Sequence, residues 1–277
     1  MKVAVLADIH GNLPALCAVM ADIDAWRPDR VVVAGDVINR GPKPAECWQR
    51  VWQRRADDGW QLIYGNHEEY VLAWTDPATT PTGAHADMFR VAEWTCRQLD
   101  GHIQEVRTLP VGLAFASPDG REVRVRHGSM LGTSSGILPR FTADDIRARM
   151  QPPPALFVVA HTHWPLVRRV DDTLVVNTGA VGLPFDGDSR ASYARLEWRR
   201  SGWRAEIVRL PYDRAQTERD FTETGFIVDS GPLAELMLIE LQQARSQLFQ
   251  WTLQFESRIT AGALTMRESV DQFLAAA

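Results

Sequence analysis

The chain has 277 residues, 45% of them hydrophobic, enough for one large domain or a domain with an appendage. Its net charge of −5 argues against a large nucleic-acid surface, though not against a local basic pocket. No apolar run approaches the roughly 20 residues that span a bilayer. The three cysteines, Cys17, Cys47 and Cys96, suit neither a disulfide framework nor a zinc-finger spacing.

The apolar stretch in MKVAVLADIHG is too short for a secretory signal, so a first strand over Lys2–Ala7 and a cytoplasmic location are expected. Asp8-Ile9-His10 follows, Gly11-Asn12 turns the chain, and Pro14 opens a helical pattern to about Ala25. In extended backbone Asp8 and His10 would point to one side, where a carboxylate and an imidazole can share a cation. Val31–Ala34 is a β-branched run that reads as a buried strand. Asp36 stands just past its end, where ligands bind in open α/β sheets, and Arg40 could meet an anion by paired hydrogen bonds.

A helix is predicted from about Pro44 to Arg55, with Trp48, Val51 and Trp52 on its core side. Trp60–Tyr64 reads as a third strand, ending in Gly65-Asn66-His67-Glu68 before another helix. An amide oxygen there can ligate a hard cation, and a neighbouring imidazole can act as acid or base. Pro77–His85 has loop composition, a helix over about Ala86–Leu99 follows, and a short segment precedes Pro110. His85 and His102 lie in these peripheral elements.

From Val111 the rhythm changes to short strands. Val111–Ala116 and Glu122–Arg126 form a hairpin pattern, and the second strand runs into His127-Gly128-Ser129. A helix near Ala143–Met150 precedes the strand Leu156–Ala160, which ends in His161-Thr162-His163. Two histidines at i and i+2 can serve adjacent metals. Leu166–Val170 with Thr173–Asn177, and Tyr193–Trp198 with Trp203–Leu210 across Ser201-Gly202, read as hairpins. Leu233, Met237, Leu241, Ala244, Leu248, Trp251, Phe255 and Ile259 recur at helical spacing, predicting one long amphipathic helix over about Pro232–Ile259. A shorter helix starts near Thr265, where Thr265 and Glu268 have capping-box spacing. Burial of the long stripe on the main domain and burial against a second subunit are both open.

Five strand ends thus carry Asp8/His10, Asp36, Asn66/His67, His127 and His161/His163, without a cysteine. Carboxylate, amide and imidazole donors suit Mn²⁺, Fe or Zn²⁺. So many donors around one bridging carboxylate favour a two-metal site.

The motifs DIH, GDVINRGP, GNHE, HGS and HTH, in this order, resemble those of calcineurin-like metallophosphoesterases, over about Met1–Leu210. GDVINRGPKP, AHTHWP and NTGAVGLPFDGDSRASYA look most like the small bacterial and archaeal phosphodiesterase branch. The resemblance implies an α/β four-layer sandwich, two packed mixed sheets flanked by helices, over residues 1–212. The C-terminal helical extension, 213–277, lies outside the shared pattern. It further implies that Asp8, His10 and His163 hold one metal, that Asn66, His127 and His161 hold the second, and that Asp36 bridges them. His67 would be the general acid or steady the transition state, and Arg40 would grip phosphate. Two divalent ions are implied, manganese first and iron, zinc or nickel otherwise, with attack by a hydroxide bridging them. Three departures stand out. Ala160 replaces a usual glycine and adds a methyl near the site. Asn177-Thr178-Gly179-Ala180 replaces Asn-Pro-Gly-Ser, and Phe185 stands where close relatives carry a basic residue. Phe185 points to a less highly charged or an aromatic substrate if its loop borders the pocket.

The expected function is hydrolysis of phosphodiester or phosphomonoester bonds in small molecules or nucleotides. Protein serine/threonine phosphatase and dinucleoside-polyphosphate hydrolase are the alternatives within the class, and a non-catalytic binding scaffold the alternative outside it. A scaffold tolerates loss of His67 or a ligand, yet every position here is filled. Trp164 could stack on a ring at the pocket rim, though a core role is favoured, and Arg190 reads as a solvated loop charge. A homodimer through the C-terminal helices is expected if they do not pack on the core.

Overall fold

A computed structural model describes residues 1–200 and 202–276. The first half alternates strand and helix: β1 (Lys2–Leu6), α1 (Leu13–Trp26), β2 (Arg30–Ala34), α2 (Pro44–Asp58), β3 (Gln61–Ile63) and α3 (Asn66–Ala73). Three short helices follow, α4 (Ala84–Met88), α5 (Arg90–Gln98) and α6 (Ile103–Arg107). The second sheet is built from β4 (Gly112–Ala116), β5 (Glu122–Arg126), α7 (Ala143–Met150), β6 (Leu156–Val159), β7 (Leu166–Val170) and β8 (Thr173–Asn177). The long hairpin β9 (Ala191–Arg199) and β10 (Gly202–Leu210) returns to the first sheet. Ser201, at the predicted tip of that hairpin, lies outside the described residues. The chain ends in α8 (Arg214–Glu223), α9 (Phe226–Asp229), α10 (Leu233–Gln243), α11 (Leu248–Thr260) and α12 (Met266–Ala275).

The strands form two five-stranded mixed sheets, ordered β10-β9-β1-β2-β3 and β4-β5-β6-β8-β7. In each, three adjacent strands run parallel, β1 with β2 with β3 and β5 with β6 with β8, so their C-terminal ends lie on one side of their sheet. Side chains alternate along a strand, and here both faces are covered. Val3 and Val5 of β1 face the second sheet, where they meet Val123, Val125 and Val158. Ala4 and Leu6 face Leu16 and Val19 of α1 and Trp48 of α2. The outer face of the second sheet buries Phe157, Val159 and Val175 beneath Ile146 and Met150 of α7. The result is the expected helix–sheet–sheet–helix stack.

The C-terminal stripe is buried within the chain itself. Ala234, Met237 and Leu241 pack on Val91, Trp94, Leu183 and Phe185, while Trp251, Phe255 and Ile259 pack on Leu236 and α12. The predicted single helix over Pro232–Ile259 is corrected to two: the chain turns at Ala244, whose φ of 51° is left-handed. No proline or glycine marks this corner. It is set from a distance, because the buried carboxylate of Glu240 accepts the N–H groups of Gln247 at 2.8 Å and Leu248 at 2.9 Å, capping α11. The predicted helix over Ala86–Leu99 likewise breaks, at Phe89, into α4 and α5. The turn lets the Phe89 ring meet the edge of Tyr70, 5.1 Å away. α8 and α9 carry no apolar stripe long enough to foretell them; Asp213 starts α8 by accepting the Gln216 N–H. Thr265 and Glu268 cap α12 as the spacing predicts.

Candidate metal centre

Asp8, Asp36, Asn66, His127 and His161 each stand one to three residues beyond the C-terminal ends of β1, β2, β3, β5 and β6. The two sheets bring these ends together, and His10 and His163 join them from the same loops. The backbone that does this differs from the extended geometry expected at Asp8/His10 and at the two HTH histidines. Asp8, His10, Asp36, His161 and His163 all have left-handed φ, at 54°, 49°, 54°, 66° and 58°. Such conformations cost side-chain-bearing residues on the order of 1 kcal/mol each and persist only where the surroundings enforce them.

Glu68 supplies part of that enforcement. Its buried carboxylate accepts the N–H groups of Asp36 (2.8 Å), Val37 (2.8 Å) and Gly65 (2.7 Å), tying the loop after β2 to the start of α3. Burial and the Asp36 carboxylate push the Glu68 carboxyl up, while these donors hold it down. Gly65 permits the close approach: a Cβ there would fall 2.2 Å from Asp36 Oδ1 and 2.8 Å from the His127 ring. Asn177 holds the other side, donating through Nδ2 to Ala160 O and Thr162 Oγ1, both at 2.9 Å. Ala160 itself is buried in the core between the sheets, so its methyl lies away from the centre.

The donors form three groups in series, because His10, Asp36 and His67 make a middle group that shares His10 with one neighbour and Asp36 with the other. Asp8, His10 and His163 converge on one side, with Asp8 Oδ1 3.4 Å from His163 Nε2. Asp36, His127 and His161 converge on the other, and Asn66 Oδ1 lies 3.1 Å from His127 Nε2 and 2.8 Å from His161 Nδ1. Asp36 Oδ2 stands between, 3.1 Å from His127 Nε2 and 3.8 Å from His10 Nε2. His67 Nε2 is 4.0 Å from the same oxygen.

Two observations show that the cluster fits a cation. Asp8 Oδ1 is buried and has no hydrogen-bond partner, an arrangement that native interiors avoid. His10 and His163 donate from Nδ1 to Asn39 O and Leu183 O, so their neutral rings turn Nε2 lone pairs toward each other, 3.2 Å apart. A shared cation relieves both defects.

The charge pattern agrees. Burial, with His67 and His163 nearby, holds His10 well below the usual histidine range, and burial with the neighbouring His127 lowers His161 to about 4. Burial also lowers His67 to about 3, against the pull of Asp36. Burial opposes a charge on His127 as well, but Asp36 and Asp8 outweigh it and raise that ring to about 10. Burial likewise opposes the Asp36 carboxylate, yet His127 and His67 hold it well below its usual range. His127 therefore holds a proton where the two carboxylates favour positive charge, the place a cation would compensate.

His67 is fixed by Asn39, a contact not foreseen from sequence. Asn39 Oδ1 accepts the Arg40 N–H at 2.9 Å, which turns Nδ2 toward His67 Nδ1 at 2.8 Å. Nδ1 is then an acceptor, and the neutral ring carries its proton on Nε2, toward Asp36. Arg40 is placed differently from a free phosphate grip: its Nη2 pairs with buried Glu240 of α10, and its buried Nε is left without a partner. Phe185 stacks on His163, with ring centroids 4.3 Å apart, and lies under the Arg40 guanidinium.

A cavity of about 850 Å³ opens from Asn66, His67 and His161 and is walled by α10 and α11. Trp164, 38% exposed, stands at its rim rather than in the core. Arg190 pairs on the surface with Asp188, His102 with Glu105, and His85 is exposed on α4.

Residues 1–201 match the family model for the calcineurin-like phosphoesterase superfamily domain. The chain is similar to an uncharacterized protein of Methanocaldococcus jannaschii, 26% identical over 230 residues, covering 76% of this chain and 88% of that one. It is 27% identical over 168 residues to the symmetrical bis(5′-nucleosyl)-tetraphosphatase of Paracidovorax citrulli, covering 54% of this chain and 52% of that enzyme. Among solved structures, a metallophosphoesterase from Sphaerobacter thermophilus aligns with a TM-score of 0.67 and 28% identity over 88% of this chain and 99% of that one. A hypothetical protein from Pyrococcus horikoshii aligns with a TM-score of 0.69 and 22% identity over 82% and 97%, a likeness of fold.

Proposed function

Because the chain belongs to the calcineurin-like phosphoesterase superfamily, we propose that it hydrolyses small phosphoesters or nucleotides at a pair of divalent cations, with manganese the expected metal. Phosphoester hydrolysis and dependence on divalent metal come with the family. The pair of sites rests on one observation: Asp36 belongs to two donor groups, with His10 and His67 in one and with His127 and His161 in the other, and His10 links the first of these to Asp8 and His163. In this reading Asp8, His10 and His163 hold one cation, Asn66, His127 and His161 the other, and Asp36 both. When bound, the cations acidify a water and draw negative charge off the phosphoryl group. The oxygen and imidazole donors, with no thiolate, suit manganese, iron or zinc. We assign this chemistry to residues 1–212 and read 213–277 as an extension that shapes the cavity.

His67 acts as a hydrogen-bond donor. Asn39 occupies Nδ1, so the ring offers its Nε2 proton to charge developing on the phosphoryl or leaving oxygen. Arg40 keeps its Nε edge for a phosphate oxygen while Glu240 holds Nη2. His67→Ala is expected to retain both metals and to lose about 10²–10³ in kcat. That loss should be similar for nitrophenyl and alkyl esters. A much steeper loss for the poor alkyl leaving groups would mean full proton delivery instead.

The walled cavity suits a small substrate better than a phosphorylated protein surface. Dinucleoside-polyphosphate hydrolysis is the second reading, favoured by the similarity to the symmetrical tetraphosphatase. Among the described residues no helix is long and apolar enough to cross a membrane. On the C-terminal helices the large apolar residues left exposed for a second copy of the chain are Val228, Phe249 and Leu253. Metal analysis of active protein, combined with a panel of monoesters, diesters and dinucleoside polyphosphates, tests the proposal. Two ions per chain and metal-stimulated turnover of at least one ester class are expected. A single ion at full activity would overturn it.

A further inference from the structure

We propose that the cavity beside the metal centre receives a substrate with a second phosphate, bound by Arg149 and Arg140 while the scissile phosphate sits at the metals. This rests on the phosphoesterase reading above and adds a binding site to it.

Three arginines line the cavity: Arg40, Arg140 and Arg149. Arg40 is neutralised by Glu240. Arg147, on the same helix as Arg149, spends its charge on Asp144 and Asp171. Arg140 and Arg149 form no ion pair among the described residues.

Arg149, half-buried, packs on an aromatic ring, and Arg140, exposed, lies farther out over the same ring. The Arg149 guanidinium lies 4.6 Å from the Phe141 centroid and that of Arg140 6.0 Å from it. A guanidinium packed on a ring loses side-chain freedom before any ligand arrives and presents its planar donors ready for phosphate oxygens. One Arg149 nitrogen, Nη1, donates to the Asp145 carbonyl at 3.0 Å, while Nε is buried without a partner.

The wall is also in register with the metal centre. Gly136 packs so closely on the HTH loop that a Cβ would fall 2.3 Å from Thr162 and 3.0 Å from the His161 ring. Ile137 O accepts from Asn177 Nδ2 at 3.3 Å, the same amide that holds Ala160 and Thr162. Arg140 follows three residues later, so the loop that bears the cations is tied to the loop that bears His161. A cavity of about 850 Å³ is far larger than one phosphate needs and falls in the range that encloses a whole small-molecule ligand.

The test compares kcat/KM, with Mn²⁺, for substrates with and without a second phosphate. 4-Nitrophenyl phosphate and bis(4-nitrophenyl) phosphate lack it. Adenosine 5′-diphosphate and diadenosine tetraphosphate carry it in a phosphoanhydride, and a hexose bisphosphate carries it on a sugar. The wild type is expected to prefer one of the latter groups over its singly phosphorylated counterpart, which identifies the source. In Arg149→Gln with Arg140→Gln that preference should fall by roughly tenfold or more, through KM. Arg149→Lys should recover part of it, because charge remains. Thermal unfolding of each variant shows whether the fold is kept. No preference in the wild type, or an unchanged ratio in folded variants, overturns the proposal. Absence of all hydrolysis in the metal-loaded wild type would instead remove the phosphoesterase reading beneath it.

Discussion

Replacing Asp36 by asparagine is expected to lower metal-stimulated hydrolysis by about 10³ or more while the fold persists. Asp36 is buried, and its Oδ2 lies within 4.0 Å of His10, His67 and His127. Asparagine matches its shape and tolerates the left-handed backbone at this position. It can still accept the His67 N–H at the atom that stands for Oδ1. What it removes is the negative charge that both donor groups share, and it turns an amide N–H₂ toward the place a cation would take. Metal content should therefore fall below two ions per chain together with turnover. Unchanged turnover would exclude Asp36 from the centre; loss of turnover with loss of the folded state would leave the comparison to the far-ultraviolet and unfolding signals of the same sample.

Glu240→Ala is expected to cost about 3–5 kcal/mol of stability, the range for breaking a buried ion pair on one side. Glu240 is wholly buried, pairs with Arg40, and also accepts from Gln247 and Leu248 at the corner between α10 and α11. Its loss strands the Arg40 cation and uncaps α11 at once. The fall in melting temperature should be roughly 6 °C or more. The double variant Arg40→Met with Glu240→Met removes both charges and should recover a large part of that loss, leaving the uncapped α11 as the remainder. If Glu240→Ala melts within a degree of the wild type, the pair does not join the extension to the centre. If the double variant is as unstable as the single one, the defect lies in the helix cap rather than in the stranded charge.

Much of the centre was legible before any coordinates. Each proposed ligand has a side chain able to bind a hard or intermediate cation, and each lies just past a segment whose apolar or alternating pattern reads as a strand. Strand ends recur on one side of parallel sheets, so such residues meet whatever the details of the loops. The exact matches at β5, β7 and β8 have the same origin, since alternating or continuous apolar runs bounded by turn residues depend on local sequence alone. Arg40 shows where this reading ends. An arginine after GDVIN announces an anion site, but nothing within its own segment announces a glutamate 200 residues away that takes one of its nitrogens.

The sequence by itself determined the strand and helix periodicity, the candidate donor side chains and the length of the helical stripe, because these are properties of single segments, while the layered fold followed from the resemblance of the motifs. The tertiary structure decided the left-handed backbone at five ligand positions, the tautomer of His67, the break at Ala244 and the two unpaired arginines of the cavity wall. The first two depend on groups distant in the chain, Glu68 holding the Asp36 loop and Asn39 holding His67, whereas the break depends on Glu240, a few residues before the α11 cap, once it is buried. Only packing brings such groups within hydrogen-bond reach.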